Sequence, residues 1–397
     1  MARGAGSMTE RPVGSGTWRL RAYVGRDALT NRPIQVTRTF RGTETAARKA
    51  LAKLVTEVEA GNFERSRATV GELLDRWLEH IEGSGKAREK TVYEYRRKIE
   101  GRIRPALGSV ALAKLETDTL DAWYQRWLAE GLSPSTVRVY HSILSAACRQ
   151  AVKWGWLEQA PTERATAPTP RPPVMRVPTP EQLFRLVQTA EDEDPVLAAA
   201  VALAALTGAR RGELVALRWS DVDLEGGTVR IARAMTVVAG RSIEGPTKSH
   251  QIRTVALDEV GIEALVRHWS FVTGRAELAE SPLVEDPFVL SYQAHSGTAV
   301  SPDTLTHRFS RLCRIVEASA KKANGGKLAA SERYGFHFHE LRHFSVTTLI
   351  AAGVDIRTVA ERHGHSQATM TLNRYAHALP ERDRAAAAVL GRALTPR

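Results

Sequence analysis

The strongest constraint on this chain is a cluster of prolines. Pro161 to Pro180 holds seven of the 18 prolines found in 397 residues. Proline lacks a backbone N–H and fixes its own φ, so this stretch can sustain neither a helix nor a central strand. It reads as an extended linker over 161–178 that divides the chain in two. Each half must then bury its own core, and a hydrophobic content of 43% is enough for that.

The N-terminal half divides again. Residues 1–16 show no periodicity and lack the apolar core of a signal peptide; they read as a disordered leader before a unit over 17–64. Trp18, Leu20, Ala22 and Val24 alternate with Arg19 and Arg21, the pattern of a strand buried on one face. Pro33 to Phe40 reads as a second strand, with Gly25, Asp27 and Asn31 marking the turn. Thr43 opens a helix that stops at Gly61. A helix on one sheet face leaves Arg19, Arg21 and Arg38 on the other. Residues 1–65 carry 12 Lys+Arg against 6 Asp+Glu, half of the net +12 of the whole chain. A small basic sheet is a shape that enters a DNA major groove; the alternative is a basic dimerisation module.

Residues 68–160 are helical. Leu73, Leu74, Trp77, Leu78 and Ile81 recur with a period near 3.6. Thr91 opens a second helix whose exposed side carries Arg96, Arg97, Lys98, Arg102 and Arg104. Thr117 caps a third, striped with Leu120, Trp123, Trp127 and Leu128. Ser133-Pro134 supplies an N-cap and a first-turn proline for a fourth that runs to Trp154. The tryptophans stand at core positions rather than as base-stacking platforms.

The second half, 179–397, is mainly α with some β. A helix starts at Thr179 or Pro180 and runs through Leu186. Pro195 to Leu206 is apolar on every side, as a central buried helix must be. It stops at Thr207-Gly208, and Arg210 follows. Thr228–Ala232 and Thr254–Leu257 read as strands; helices follow over Glu259–Trp269 and Pro302–Ala320. Residues 321–334 read as an exposed basic loop. Cys148 and Cys313 sit far apart in apolar helical patterns without a CxxC, so they are expected as buried thiols in a reducing cytosol. No run of 18 apolar residues spans a membrane.

Reactive side chains concentrate between Phe336 and His377. His339 and Arg342 are three residues apart, one shared helix face; His365 follows, then Tyr375 ten residues later. An imidazole beside a guanidinium suits an anion that must also exchange a proton. A phenolic hydroxyl can be a covalent nucleophile if its charge is stabilised. A phosphodiester would use all of these groups, and the sequence pI of 9.9 favours nucleic acid as the anion.

HELRH, then HGHS, then NRY resembles the C-terminal signature of the tyrosine recombinases, the phage-integrase family. TGARRGELVALRWSDVD is similar to that family's first-arginine motif. The resemblance implies Arg210, Lys248, His339, Arg342 and His365 as catalytic residues and Tyr375 as the nucleophile, with Glu213 and His343 in support. Lys248, in GPTKSHQIRTVAL between two strands, matches the lysine of the family's β-hairpin. Arg211 is expected to face solvent or DNA. The family usually has leucine where His363 stands, which crowds His363 and His365 around one glycine. A metal site built with His339 and His343 lacks a carboxylate at ligand spacing, and no metal or other cofactor is expected.

The resemblance implies a three-part architecture. An arm-type DNA-binding domain with a small β-sheet and one helix spans 17–64. An all-α, four-helix core-binding (SAM-like) domain spans 68–160, with Arg96, Arg97 and Lys98 towards DNA. A mainly α catalytic domain spans 179–397. It implies an integrase that acts on double-stranded DNA at core and arm attachment sites, as a homo-tetramer, in the cytoplasm of a bacterial host. A host DNA-bending protein and a directionality factor are the accessory partners such an enzyme uses. Alternatives are a resolvase or transposon recombinase of the same chemistry, a type IB topoisomerase, and a DNA-binding protein that has kept the fold without the chemistry. A C-terminal helix in HALPERDRAAAAVLGRAL would dock in cis or on a neighbouring subunit. Richness in Ala, Arg and Val points to a GC-rich, actinobacterial setting.

Overall fold

The computed structural model describes residues 6–26, 33–59, 68–85, 87–170, 176–247 and 251–364. Lys248, His365, Tyr375 and the expected C-terminal helix lie outside these residues. The chain forms two compact units, Met1–Pro172 and Pro173–Arg397. No helix among the described residues is long and apolar enough to cross a membrane.

The first unit begins with an antiparallel sheet of order β1-β2-β3: Gly6–Glu10, Thr17–Arg26 and Pro33–Arg41. Helix α1, Glu44–Glu59, covers one face. Leu20, Ala22 and Val36 are buried there with Ala47, Leu54 and Val58. Strand β1 corrects the expectation of a leader without structure over 1–16. Its side chains are short and mostly polar, so no alternation betrays it. Gly6 is what lets it pair: a Cβ there would lie 2.8 Å from the Arg21 carbonyl and 3.0 Å from Leu51 and Val55.

The register also corrects the placement of Arg38. It faces Leu20 across the ladder, and directly paired residues share a face. Arg38 therefore lies on the helix side, where its guanidinium meets Glu57 of α1 at 3.3 Å. Arg19 and Arg21 stand on the opposite face, exposed, and Arg41 joins them opposite Thr17.

The helical part comprises α2 (Val70–Gly83), α3 (Glu89–Lys98), α4 (Arg104–Leu107), α5 (Thr117–Ala129) and α6 (Pro134–Lys153). A π turn, Ile99–Ile103, joins α3 to α4. Thr69 caps α2 in a reciprocal box with Glu72, and Ser133 caps α6 ahead of Pro134. Trp77 and Trp127 are core residues. The cationic edge is less free than its sequence suggests. Arg96 pairs with Glu82, Lys98 with Glu94, Arg102 with Glu130, and Arg104 with Asp75 and Glu100. Arg97 is exposed beside them. The proline-rich stretch also starts by packing rather than linking. Thr162 is buried, Pro161 accepts from Thr117 Oγ1 at 3.0 Å, and Thr166 N–H donates to Asp121 at 2.7 Å.

The second unit is built around α8, Pro195–Thr207, which is apolar on all sides and packs against α7 (Pro180–Glu193), α10 (Glu259–Leu278) and α12 (Glu340–Ala351). Helix α7 starts at a reciprocal Thr179–Gln182 capping box with Pro180 in its first turn. Short α9 (Arg211–Leu214) follows α8, and α11 (Pro302–Ala323) and α13 (Ile356–His363) complete the helices. Strands β4 (Val222–Asp223), β5 (Thr228–Ile231) and β8 (Arg253–Ala256) form one antiparallel sheet. Strands β6 (Arg233–Val238) and β7 (Arg241–Pro246) form a separate hairpin that the sequence pattern does not reveal. Ala239 and Gly240 turn it, both at positive φ, 49° and 79°, which matches the right-handed twist of the flanking strands. Cys148 and Cys313 are buried, and burial pushes each thiol up to about 12.

Candidate active site

The site grows from the end of α8. Gly208 ends that helix at φ 60°, ψ 20°, a left-handed cap that glycine adopts without a steric penalty. The reversal exposes its carbonyl, and Arg342 Nη1 donates to it at 2.6 Å. A Cβ on Gly208 would also overlap the His363 ring. Two residues later Arg210 opens α9, and Glu213 closes back on it. The Glu213 carboxylate accepts the Arg210 backbone N–H at 2.9 Å and its Nη1–H at 2.9 Å. Arg210 Nη2 then donates to Gly364 O at 3.0 Å.

Glu213 is 1% exposed and also accepts from Arg253 Nη2 at 2.6 Å. Burial alone raises a carboxyl pKa. Here the hydrogen bond and charge of Arg253, followed by the backbone N–H and charge of Arg210, outweigh burial and hold Glu213 below its ordinary value. It is a fixed anion between two guanidiniums.

Helix α12 brings Arg342 from the other side. Its guanidinium is nearly buried, 4% exposed, and its Nη2 donates to His363 O at 2.6 Å. His339, at the start of the same helix, is exposed, and its ring lies edge-on to the buried His343 at 4.9 Å. His363 turns inward. Its Nδ1 sits 2.8 Å from Val359 O and its Nε2 3.1 Å from Ser345 Oγ. A carbonyl only accepts, so Nδ1 carries the proton and Nε2 accepts from the serine. This ring latches α13 to α12 and fills the hollow left by Gly208.

The structure thus brings Arg210, Glu213 and Arg342 to one turn, His363–Gly364, the residue pair just before His365. Lys248 belongs to the segment between β7 and β8, whose described ends are tied by Thr247 Oγ1 donating to Gln251 O at 3.0 Å. Arg211, expected to face solvent or DNA, is half-buried: it meets Thr306 and, at 3.4 Å, the exposed Asp303 of α11. That contact separates its direction from that of Arg210, one residue away.

Tyr292 and Tyr334 are disfavoured as nucleophiles. The Tyr292 hydroxyl donates to Asp194 at 2.8 Å, and burial together with Asp194 raises its pKa. Tyr334 is 1% exposed and is raised by burial. The sequence reading also missed Arg253 and the Ser345–His363 latch. Arg253 stands in the GPTKSHQIRTVAL stretch singled out for Lys248, just before the strand read over Thr254–Leu257, and nothing in the sequence says that its side chain reaches back to Glu213.

A model of the phage integrase family matches residues 176–382, and one of the phage integrase N-terminal SAM-like domain matches 69–128. The first covers more than half of the chain, which belongs to the phage integrase family of tyrosine recombinases. A tyrosine recombinase XerC-like protein of Caldanaerobacter subterraneus subsp. tengcongensis is 24% identical over 340 residues, 81% of this chain and 82% of that one. An integrase of Streptomyces ambofaciens is 26% identical over 335 residues, 83% of this chain and 81% of its own length. Among solved structures, the Tn1549 transposon integrase in complex with a circular intermediate DNA superposes with a TM-score of 0.68 at 21% identity, over 80% of this chain and 98% of that one.

Proposed function

We propose that this protein is a site-specific DNA recombinase, an integrase that cuts and rejoins strands through a 3′-phosphotyrosine intermediate to insert or excise a phage or other mobile element. The observation that supports it most is the convergence of Arg210 and Arg342 on the His363–Gly364 turn, with Glu213 fixing the first of them.

Attack on a phosphodiester builds charge on the non-bridging oxygens. Two guanidiniums offer planar paired donors for those oxygens, and anchoring them beforehand avoids reorganisation during the step. Tyr375 attacks phosphorus, His339 takes its proton, and Lys248 gives a proton to the leaving 5′ oxygen. His365 hydrogen-bonds the phosphate, and His343 supports His339. The bond to tyrosine keeps the energy of the broken phosphodiester, so a second 5′ hydroxyl can displace it and reseal the strand. The protein's own cations supply the charge, and no metal or nucleotide is called upon.

The segments divide the labour. Residues 17–64 act as an arm-type DNA-binding domain through the sheet face that bears Arg19, Arg21 and Arg41. Residues 68–160 act as the core-binding domain, where Arg97 is available to the backbone while Arg96 and Lys98 must first exchange their carboxylate partners. Residues 179–397 carry out catalysis. The active assembly is a homo-tetramer on paired sites in the bacterial cytoplasm, with a host DNA-bending protein and a directionality factor as partners. The test is a recombination assay on two duplexes carrying the element's attachment sites, with chelator and without nucleotide. Recombinant product is expected; a requirement for metal or ATP contradicts the reading.

A further inference from the structure

The proposed reaction needs three separate segments to meet at one phosphate: the start of α9 with Arg210, the segment carrying Lys248, and the turn that leads into His365. Arg253 links all three. It lies in β8, which follows the Lys248 segment. Its Nη2 donates to Glu213 at 2.6 Å, and Glu213 in turn holds Arg210 at 2.9 Å. Its Nε donates to Arg362 O at 2.9 Å, one and two residues before the carbonyls of His363 and Gly364 that anchor Arg342 and Arg210.

The turn is shaped to receive this side chain. Gly364 caps α13 at φ 60°, and a Cβ there would lie 3.0 Å from Arg253 Nη1. The guanidinium lies against a residue with no side chain. The Arg253 side chain is 8% exposed, and its buried Nη1 has no hydrogen-bond partner among the described residues. An unsatisfied buried donor costs stability. That unmet donor offsets part of what the pair with Glu213 contributes to stability.

We infer that Arg253 is a positioning residue for strand cleavage: one planar side chain sets the spacing between the Glu213–Arg210 pair, the strand after Lys248 and the Arg362–Gly364 turn. It touches neither DNA nor the reacting atoms. Lysine cannot replace it, because an ammonium lacks the rigid fork that reaches a carboxylate and a carbonyl in fixed directions. The inference rests on the proposed recombinase function.

The test compares wild type, Arg253→Lys, Arg253→Gln and Tyr375→Phe on a nicked suicide duplex bearing the core site. Four quantities are read: the single-turnover rate of covalent adduct formation across a pH series, affinity for the same duplex, the thermal midpoint, and amide exchange of the peptide around Arg362–Gly364. The expected result is that Arg253→Lys, which keeps a positive charge beside Glu213, has a lowered thermal midpoint but remains folded at the assay temperature, binds core DNA within about twofold, yet forms adduct ten-fold or more slowly. Faster exchange is expected at the turn, with the β5–β8 pairing unchanged. The acid limb of the rate–pH profile should move to higher pH, because Glu213 loses the partner that holds it low. Wild-type rate in a folded variant overturns the inference. So does loss of rate only in step with melting and affinity in both variants, which marks a merely structural role. Failure of wild type to form any adduct, or an adduct that survives Tyr375→Phe, strikes instead at the proposed function.

Discussion

Arg210 and Arg342 donate to the carbonyl oxygens of consecutive residues, Gly364 at 3.0 Å and His363 at 2.6 Å. One arginine opens a short helix after α8; the other lies in the first turn of α12. The shared turn sets them side by side where the chain enters the segment of His365 and Tyr375. Replacing Arg210 by lysine removes the fork while keeping the charge. Strand cleavage should fall about a hundred- to a thousand-fold, as for loss of one charge-stabilising donor, with core-site affinity changed far less. Single-turnover cleavage and a binding titration on the same duplex check the pair of values.

Gly208→Ala tests how tightly this turn is packed. The added methyl must enter a left-handed conformation and the space held by the His363 ring. Together these effects should cost about 2–4 kcal/mol. A lower thermal midpoint and loss of cleavage are expected together, and Gly208→Ser should fare no better. Differential scanning calorimetry beside the cleavage assay gives the answer.

Glu213 predicts an acid dependence. Its folded pKa lies below the ordinary value of 4.5. Its contribution to stability is therefore fully present above that value and is lost as the pH falls through the depressed folded value. Wild-type melting should drop in that acid range. Glu213→Gln should melt lower at neutral pH, by the roughly 3–5 kcal/mol typical of a broken buried pair, and show a shallower acid slope. Melting curves between neutral and strongly acid pH measure both.

The sheet register separates arginines that sequence alone treats as equals. Arg19→Ala and Arg21→Ala should each weaken arm-site binding and reduce the salt dependence by about one phosphate contact. Arg38→Ala should leave DNA affinity unchanged and cost no more than about 1 kcal/mol, because it loses only an exposed pair with Glu57. Binding isotherms across a salt series distinguish them. Equal losses for all three contradict the assigned face.

Long-period features were legible in the sequence. The apolar run of α8 could only be a buried helix, and the start of α7 at Thr179-Pro180 and the Ser133-Pro134 cap lie where side-chain chemistry puts them. What escaped depends on partners distant in sequence. Strand β1 exists because Gly6 fits under α1, and Arg38 changes face because register, rather than alternation within one strand, sets its neighbours. Arg253 escaped for a similar reason: its partners lie on α9 and at the end of α13. The two compact units divide within the proline stretch, between Pro172 and Pro173, while its first residues dock through backbone groups that proline retains, such as the Pro161 carbonyl.

The most direct test of the central claim is covalent trapping on the nicked suicide duplex. After denaturation, wild type should carry DNA in a protein–DNA adduct, and Tyr375→Phe should carry none while binding the duplex equally well. An adduct undiminished in Tyr375→Phe, or none in either protein despite tight binding, would contradict a phosphotyrosine recombinase acting through this residue.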